Sequence, residues 1–299
     1  NARLGVGIEG LSQCELATQK ALEFAKTRKQ GNAKIDNGKG VILDHPDVRR
    51  MIIMMKSLTA AVRALCLDAA LSLDLSKSND KQVATKENIR ASFLIPIAKA
   101  FSTDIGCRVA DIGIQVHGGM GYVEETGVAQ VLRDVRVTAI YEGTNGIQAI
   151  DLVGRKLRMG EGKVMRDLLD EIGGFVESLA EMGPEYETIK VNLADSLQAV
   201  EEATIWLNEK GKEDPLQAIS GATPFLRMLG QLVGGWFLAR LAIGAINNEE
   251  IGDEEFRKSK LTVANFYAEQ LLPLTRAQLG AVTAGSSDLF AVPEELFSV

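Results

Sequence analysis

Residues 140–148 read Ile-Tyr-Glu-Gly-Thr-Asn-Gly-Ile-Gln and set a lone carboxylate, Glu142, among apolar neighbours. Gly143 follows it, and Thr144 opens a predicted helix. A carboxylate so placed loses water when a ligand covers it. Desolvation then raises its pKa and makes it a usable base near neutrality. The segment alone leaves a second reading open, a solvated acid at a helix start, favoured by the helix dipole.

A second glycine-rich stretch, from Gly113 to Tyr122, contains Gly118, Gly119 and Gly121. It is not a Gly-x-Gly-x-x-Gly fingerprint, and no βαβ pattern surrounds it. Its spacing fits either a tight turn between helices or a backbone stripped of side chains so that a nucleotide can approach. Other chemistry has little material. The chain has only two histidines, His45 and His117, which gives poor support to a His-based metal site or a Ser-His-Asp triad, and no metal ligand is assigned. Cys14, Cys66 and Cys107 lie far apart in helical patterns and read as small core residues of a reducing compartment. A net charge of −7 argues against broad nucleic-acid binding.

The elements that must position these residues read as helices throughout. Of 299 residues, 46% are hydrophobic, ample for a core, and 29 are Gly against 7 Pro. Leu4, Ile8, Leu11, Leu22 and Ala25 share one face of a helix over 3–30. A polar stretch over 31–40 follows, and Asp44-His45-Pro46-Asp47 starts a helix carrying Val48, Met51, Ile52, Met55, Leu58, Val62, Leu65 and Ala69. The next helix is expected over about 86–114, with Pro96 either kinking it or marking its start. Short helices follow near 125–134 and over 144–157, and Met159-Gly-Glu-Gly162 is a joint.

Beyond the joint, four apolar stripes mark four more helices: Met165 to Val176, Ile189 to Leu207, Phe225 to Ile246 and Phe256 to Leu274. They carry no glycine-rich motif and no clustered His, Cys or carboxylate groups, so they are expected to form a self-standing bundle without a catalytic role. Uncharged runs such as Met228–Ala239 are too short to span a bilayer. The expected architecture is all-α, two consecutive antiparallel bundles over 1–158 and 159–299.

Three motifs together carry a resemblance: Gln-Val-His-Gly-Gly-Met-Gly-Tyr over 115–122, Leu-Arg-Asp-Val-Arg over 132–136, and the Glu142 segment. Their order and spacing resemble those of acyl-CoA dehydrogenases. Arg-Leu-Gly-Val-Gly-Ile-Glu-Gly-Leu over 3–11 resembles the opening of that family's C-terminal helical domain. Residues 159–299 resemble the extra helical domain of a subset that includes enzymes acting on 3-methylthiopropanoyl-CoA.

The resemblance implies FAD-dependent α,β-dehydrogenation of an acyl-CoA thioester, with electrons passed to an electron-transfer flavoprotein. It implies Glu142 as the base, since Ala2 stands where some members carry theirs. It implies substrate contacts at Arg3 and Gly143. Cofactor contacts follow at Arg28, toward the flavin pyrophosphate of a neighbouring subunit, at Gln115, Val116, His117, Gly118 and Gly119, and at Thr144 and Asn145. Gln30-Gly31 replaces the family's frequent Phe-Gly, and His45-Pro46 its frequent His-Gln.

The family's N-terminal helical and middle β-domains are not in this sequence, so an incomplete flavin site is expected. A homodimer or homotetramer is expected, paired through the helices bearing Leu4 to Ala25 and Val48 to Ala69. A cytoplasmic or mitochondrial location is expected. The rival readings are an acyl-CoA oxidase and, for this stretch alone, a non-catalytic helical assembly module.

Overall fold

Helix starts and stops follow local chemistry in this computed structural model, which describes residues 2–31, 33, 35 and 37–298. Part of the polar stretch over 31–40 thus lies outside the described residues. Helix α1 (Ala2–Thr27) runs into that stretch, and α2 (Pro46–Leu75) begins with proline in its first turn. Helix α3 (Lys81–His117) is capped by Asp80, whose carboxylate accepts from the N–H groups of Gln82 and Val83 at 2.8 and 3.3 Å. It therefore begins before the expected 86 and runs through Pro96, which is not its start. Proline has no N–H to give the Ser92 carbonyl. Burial of Phe93, Leu94 and Ile97 around it offsets that loss.

The chain continues through α4 (Gly119–Tyr122), α5 (Val128–Arg136) and α6 (Asn145–Gly154). A 3-10 turn over Lys156–Arg158 ends the helix expected as far as 157. The joint at 159–162 is a turn with positive φ at Gly160, Glu161 and Gly162. Then come α7 (Lys163–Ser178), α8 (Glu187–Glu213), α9 (Pro215–Ser220), α10 (Ala222–Ile246), α11 (Glu254–Gln270), α12 (Pro273–Ala277) and α13 (Leu279–Thr283). No strand occurs among the described residues, and the fold is all-α.

The first three helices pack side by side. Gly7 and Gly10 bring α1 onto α3: a Cβ at Gly10 would lie 2.9 Å from the Ser102 carbonyl oxygen, and one at Gly7 3.0 Å from that of Ala98. Leu4, Leu11 and Ala25 of α1, and Met55, Leu58, Leu65 and Ala69 of α2, are buried inside the chain's own core. These stripes are covered within the chain, so the pairing of subunits expected through α1 and α2 would have to use their other faces, where Leu16, Leu67 and Leu71 are exposed. Ile8, expected on the buried face of α1, is exposed, as is Phe256 at the start of α11.

Helix α10 is the axis of the C-terminal half and also enters the N-terminal half. A Cβ at Gly230 would meet the Phe101 ring of α3 at 2.5 Å, and one at Gly234 would meet the Ala61 Cβ of α2 at 3.1 Å. The independence expected of the C-terminal bundle meets a physical obstacle here. Its central helix shares one continuous core with residues before 158. By length and composition α10 could also cross a membrane, but 78% of its most apolar window is buried in this core.

Two predictions follow from the packing. Gly230→Val drives a branched side chain into Phe101, and overpacking of this kind costs about 1–3 kcal/mol. Chemical denaturation should show a lowered midpoint in a single transition; an unchanged midpoint would contradict the shared core. The second concerns pH. Burial pushes the Cys66 thiol from 9.0 up to about 11, and that of Cys14 higher still. Both stay protonated in the fold while the unfolded chain ionises above pH 9. The stability they contribute is full below pH 9 and is lost as pH climbs toward and through the folded values, roughly 2 kcal/mol from Cys66 by pH 11. Cys66→Ala should flatten the fall in midpoint between pH 8 and 11.

Candidate active site

The segment that carries Glu142 leaves α5 through a 3-10 turn over Val137–Ala139 and re-enters helix at α6. Between them Glu142 has φ +56° and Gly143 has φ +85°. Gly143 tolerates this region freely, and a Cβ there would also meet Gln148 Nε2 at 2.8 Å. Glu142 does not, because a side chain in the left-handed region costs roughly 1–2 kcal/mol. Such a conformation persists only where its surroundings over-determine it. Here Lys99 Nζ donates to the Gly143 carbonyl at 2.9 Å, and Gln148 Nε2 donates to the carbonyls of Glu142 and Gly143, each at 3.2 Å. Tyr141 donates its hydroxyl to Glu9 of α1. Thr144 caps α6 by accepting the Ile147 N–H at 3.3 Å.

Glu142 itself is exposed and lines a cavity of about 350 Å³ together with Arg3, Ser92, Pro96, Asp151 and Lys156. Arg3 is held by Asp151 at 3.2 Å, and the buried Asp151 also accepts from Arg155 at 2.5 Å. Lys156 donates to the Ser92 hydroxyl at 2.7 Å, and partial burial pushes its ammonium below the ordinary lysine value. Near Glu142 in sequence, Ile140, Tyr141, Ile147 and Ile150 are all exposed, an apolar fringe beside this polar cavity. A carboxylate on such a surface keeps its water until an apolar partner covers it.

The sequence-derived residues fall into two separate groups. Arg3, Glu142 and Gly143 form the first. Arg28 and the run Gln115, Val116, His117, Gly118, Gly119 line a different cleft, of about 610 Å³, with Phe24 and His45. Arg3 and Arg28 stand at opposite ends of α1, roughly 35 Å apart at 1.5 Å per residue. The two readings of the glycine run divide between its members. A Cβ at Gly121 would lie 2.3 Å from the Ile114 carbonyl oxygen, so that glycine makes the turn. Cβ atoms at Gly118 (φ +59°) and Gly119 would meet nothing within 4 Å, so there the backbone stands open.

His117 is turned inward. Its Nδ1 lies 2.7 Å from the Gly113 carbonyl oxygen, its ring stacks on Phe24, and burial lowers its pKa, which suits a neutral ring donating that bond. Asn145 is turned inward too. Its amide oxygen accepts from Lys99 at 2.9 Å, and its nitrogen donates to Asp104 at 2.7 Å and to Thr103 at 2.9 Å. Its side chain is thus committed to α3 and not free for a cofactor.

Sequence reasoning missed Lys99, Gln148, Asp151 and Lys156. Lys99 left a legible signal, a single charge inside the apolar run Ile95-Pro-Ile-Ala-Lys-Ala-Phe101. Gln148 left none beyond its place in the motif.

Comparison with known proteins gives two matches that divide the chain. Residues 1–157 match the family described as "Acyl-CoA dehydrogenase, C-terminal domain", and residues 168–293 match "Acetyl-CoA dehydrogenase C-terminal like". The 3-methylmercaptopropionyl-CoA dehydrogenase of Ruegeria pomeroyi is 36% identical over 286 residues, which cover 95% of this chain and 49% of that protein. The crystal structure of an acyl-CoA dehydrogenase complexed with FAD from Bacillus anthracis shares the fold with a TM-score of 0.70 at 16% identity, covering 94% of this chain and 48% of that one. Caenorhabditis elegans ACDH-11 in complex with C11-CoA does so with a TM-score of 0.71 at 22% identity, covering 97% and 46%. The chain thus spans about half the length of the relatives it matches.

The backbone at position 142 makes a direct prediction. Glu142→Gly removes the left-handed strain, whereas Glu142→Ala keeps it. The glycine variant should be about 1 kcal/mol more stable than the alanine variant in denaturant titrations, the reverse of the usual helix and strand ranking. Equal stabilities would mean that the turn is not strained at Glu142.

Proposed function

The chain belongs to the acyl-CoA dehydrogenase family, matched over residues 1–157, and from that premise we propose that it forms the C-terminal portion of an FAD-dependent enzyme that dehydrogenates an acyl-CoA thioester at its α,β bond. The observation that carries the reading is the strained, clamped turn that presents Glu142 on an apolar surface beside Arg3.

Glu142 takes the α-proton onto its carboxylate. The α-carbon's electron pair becomes the new double bond as the β-hydrogen departs with its own pair. FAD, when bound, accepts that hydride. An acyl chain laid over Ile140, Ile147 and Ile150 strips water from the carboxylate and raises its basicity at the moment of use. The Glu142 N–H supports the thioester carbonyl as negative charge gathers on its oxygen. Arg3, oriented by Asp151, lies on the substrate side of the same cavity.

The residues present fit FAD in two places. The cleft of Arg28, Gln115, Gly118 and Gly119 offers a guanidinium with one long hydrogen bond among the described residues, to Gln30 at 3.4 Å, beside open glycine backbone. That set suits a pyrophosphate and adenylate. The start of α6 at Thr144 and Asn145 offers backbone N–H groups. By the family resemblance Arg28 would serve the cofactor of a second copy, in a homodimer or homotetramer with an electron-transfer flavoprotein as electron acceptor. Residues 159–299 brace the site through α10 and carry no catalytic group.

In a protein of the relatives' full length, Glu142→Gln should keep its FAD content and acyl-CoA affinity while turnover falls about 100-fold or more, the usual cost of losing a general base. Steady-state kinetics with flavin absorbance checks this. Retention of more than about a tenth of the activity would overturn the assignment of the base.

A further inference from the structure

Lys99 is fully buried on α3, and its ammonium makes no salt bridge among the described residues. A desolvated cation without a carboxylate contact is costly to keep. Burial pushes its pKa down. A leucine or methionine would fill the same space without that cost. What the ammonium touches is specific: the Gly143 carbonyl oxygen at 2.9 Å and Asn145 Oδ1 at 2.9 Å. Asn145 passes the contact to Asp104 at 2.7 Å, and Arg227 of α10 closes on Asp104 at 3.4 Å. From the other side, Gln148 donates one amide nitrogen to the carbonyls of both Glu142 and Gly143. Two donors on two helices thus grip the two peptide units whose left-handed torsions aim the Glu142 carboxylate.

We propose that Lys99 and Gln148 are positioning residues: a buried two-point clamp on the carbonyls of Glu142 and Gly143 that fixes the conformation in which Glu142 acts as base. Neither touches substrate. The clamp's catalytic consequence rests on the proposed role of Glu142, while the clamp itself is a property of the backbone. It assigns a reason for a charge inside an apolar helix run. It also gives the C-terminal region a path to the site, from α10 through Arg227, Asp104 and Asn145.

The test has two arms. Hydrogen–deuterium exchange read by mass spectrometry on this chain reports the turn without cofactor or substrate. Lys99→Met should raise exchange over 140–148 about tenfold or more while α2 peptides stay at the wild-type rate. Gln148→Leu acts on the same carbonyls and carries the test should Lys99→Met fail to fold. Exchange over 140–148 unchanged, or raised equally across α2, would overturn the clamp.

In the FAD-loaded protein of full length, the same variants should lower kcat about tenfold to a hundredfold at nearly constant KM, the signature of a displaced base. A loss of folded protein at unchanged kcat per bound flavin would mark a structural role only and overturn the positioning claim. If exchange rises as expected but Glu142→Gln retains full turnover, the clamp stands and the base assignment falls.

Discussion

The left-handed backbone at Glu142 and Gly143 is the constraint on which the site depends. A non-glycine residue does not stay at φ +56° unaided. Its retention is explained by what grips it: Lys99 from α3, Gln148 from α6, and the Tyr141–Glu9 contact to α1. Each of these helices is itself held. Asp80 starts α3, Thr144 caps α6, and Gly7 and Gly10 seat α1 against α3. The carboxylate is thus fixed at its backbone and free at its tip, which is what a proton acceptor on an open apolar face requires.

The same logic extends to the C-terminal helices. Gly230 and Gly234 let α10 press on Phe101 and Ala61, so the region after the 159–162 turn is part of the scaffold of α2 and α3. Phe101 stands two residues from Lys99 on α3. Packing at one face of that helix therefore sets the position of the clamp on another. A region that contributes no residue to the Glu142 cavity can in this way matter to a site that it does not line.

Much of this was legible in the sequence, and the reasons for the exceptions are physical. Helical periodicity gave the order of the long helices, and His45-Pro46 marked the start of α2. Pro96 does not mark the start of α3, because burial on both sides carries the helix through it. Ile8 and Phe256 misled because an apolar residue on a stripe need not be covered. Glu142 lines one cavity with Arg3, and Arg28 lines another with the Gln115–Gly119 run. The side chain of Asn145 is used by Lys99, Thr103 and Asp104, contacts made 41 or more residues away in sequence that no local pattern announces. The shared core was invisible for the same reason. No local pattern announces that a glycine on α10 meets an aromatic ring on α3.

The central claim is that Glu142 removes a proton from the carbon next to the thioester. An acyl-CoA whose β-carbon bears no hydrogen isolates that step, since hydride loss is blocked. In D2O, the FAD-loaded protein of full length should exchange the α-protons of such a thioester for deuterium, and Glu142→Gln should slow the exchange by about 100-fold or more. Exchange at the wild-type rate in the glutamine variant would contradict the account.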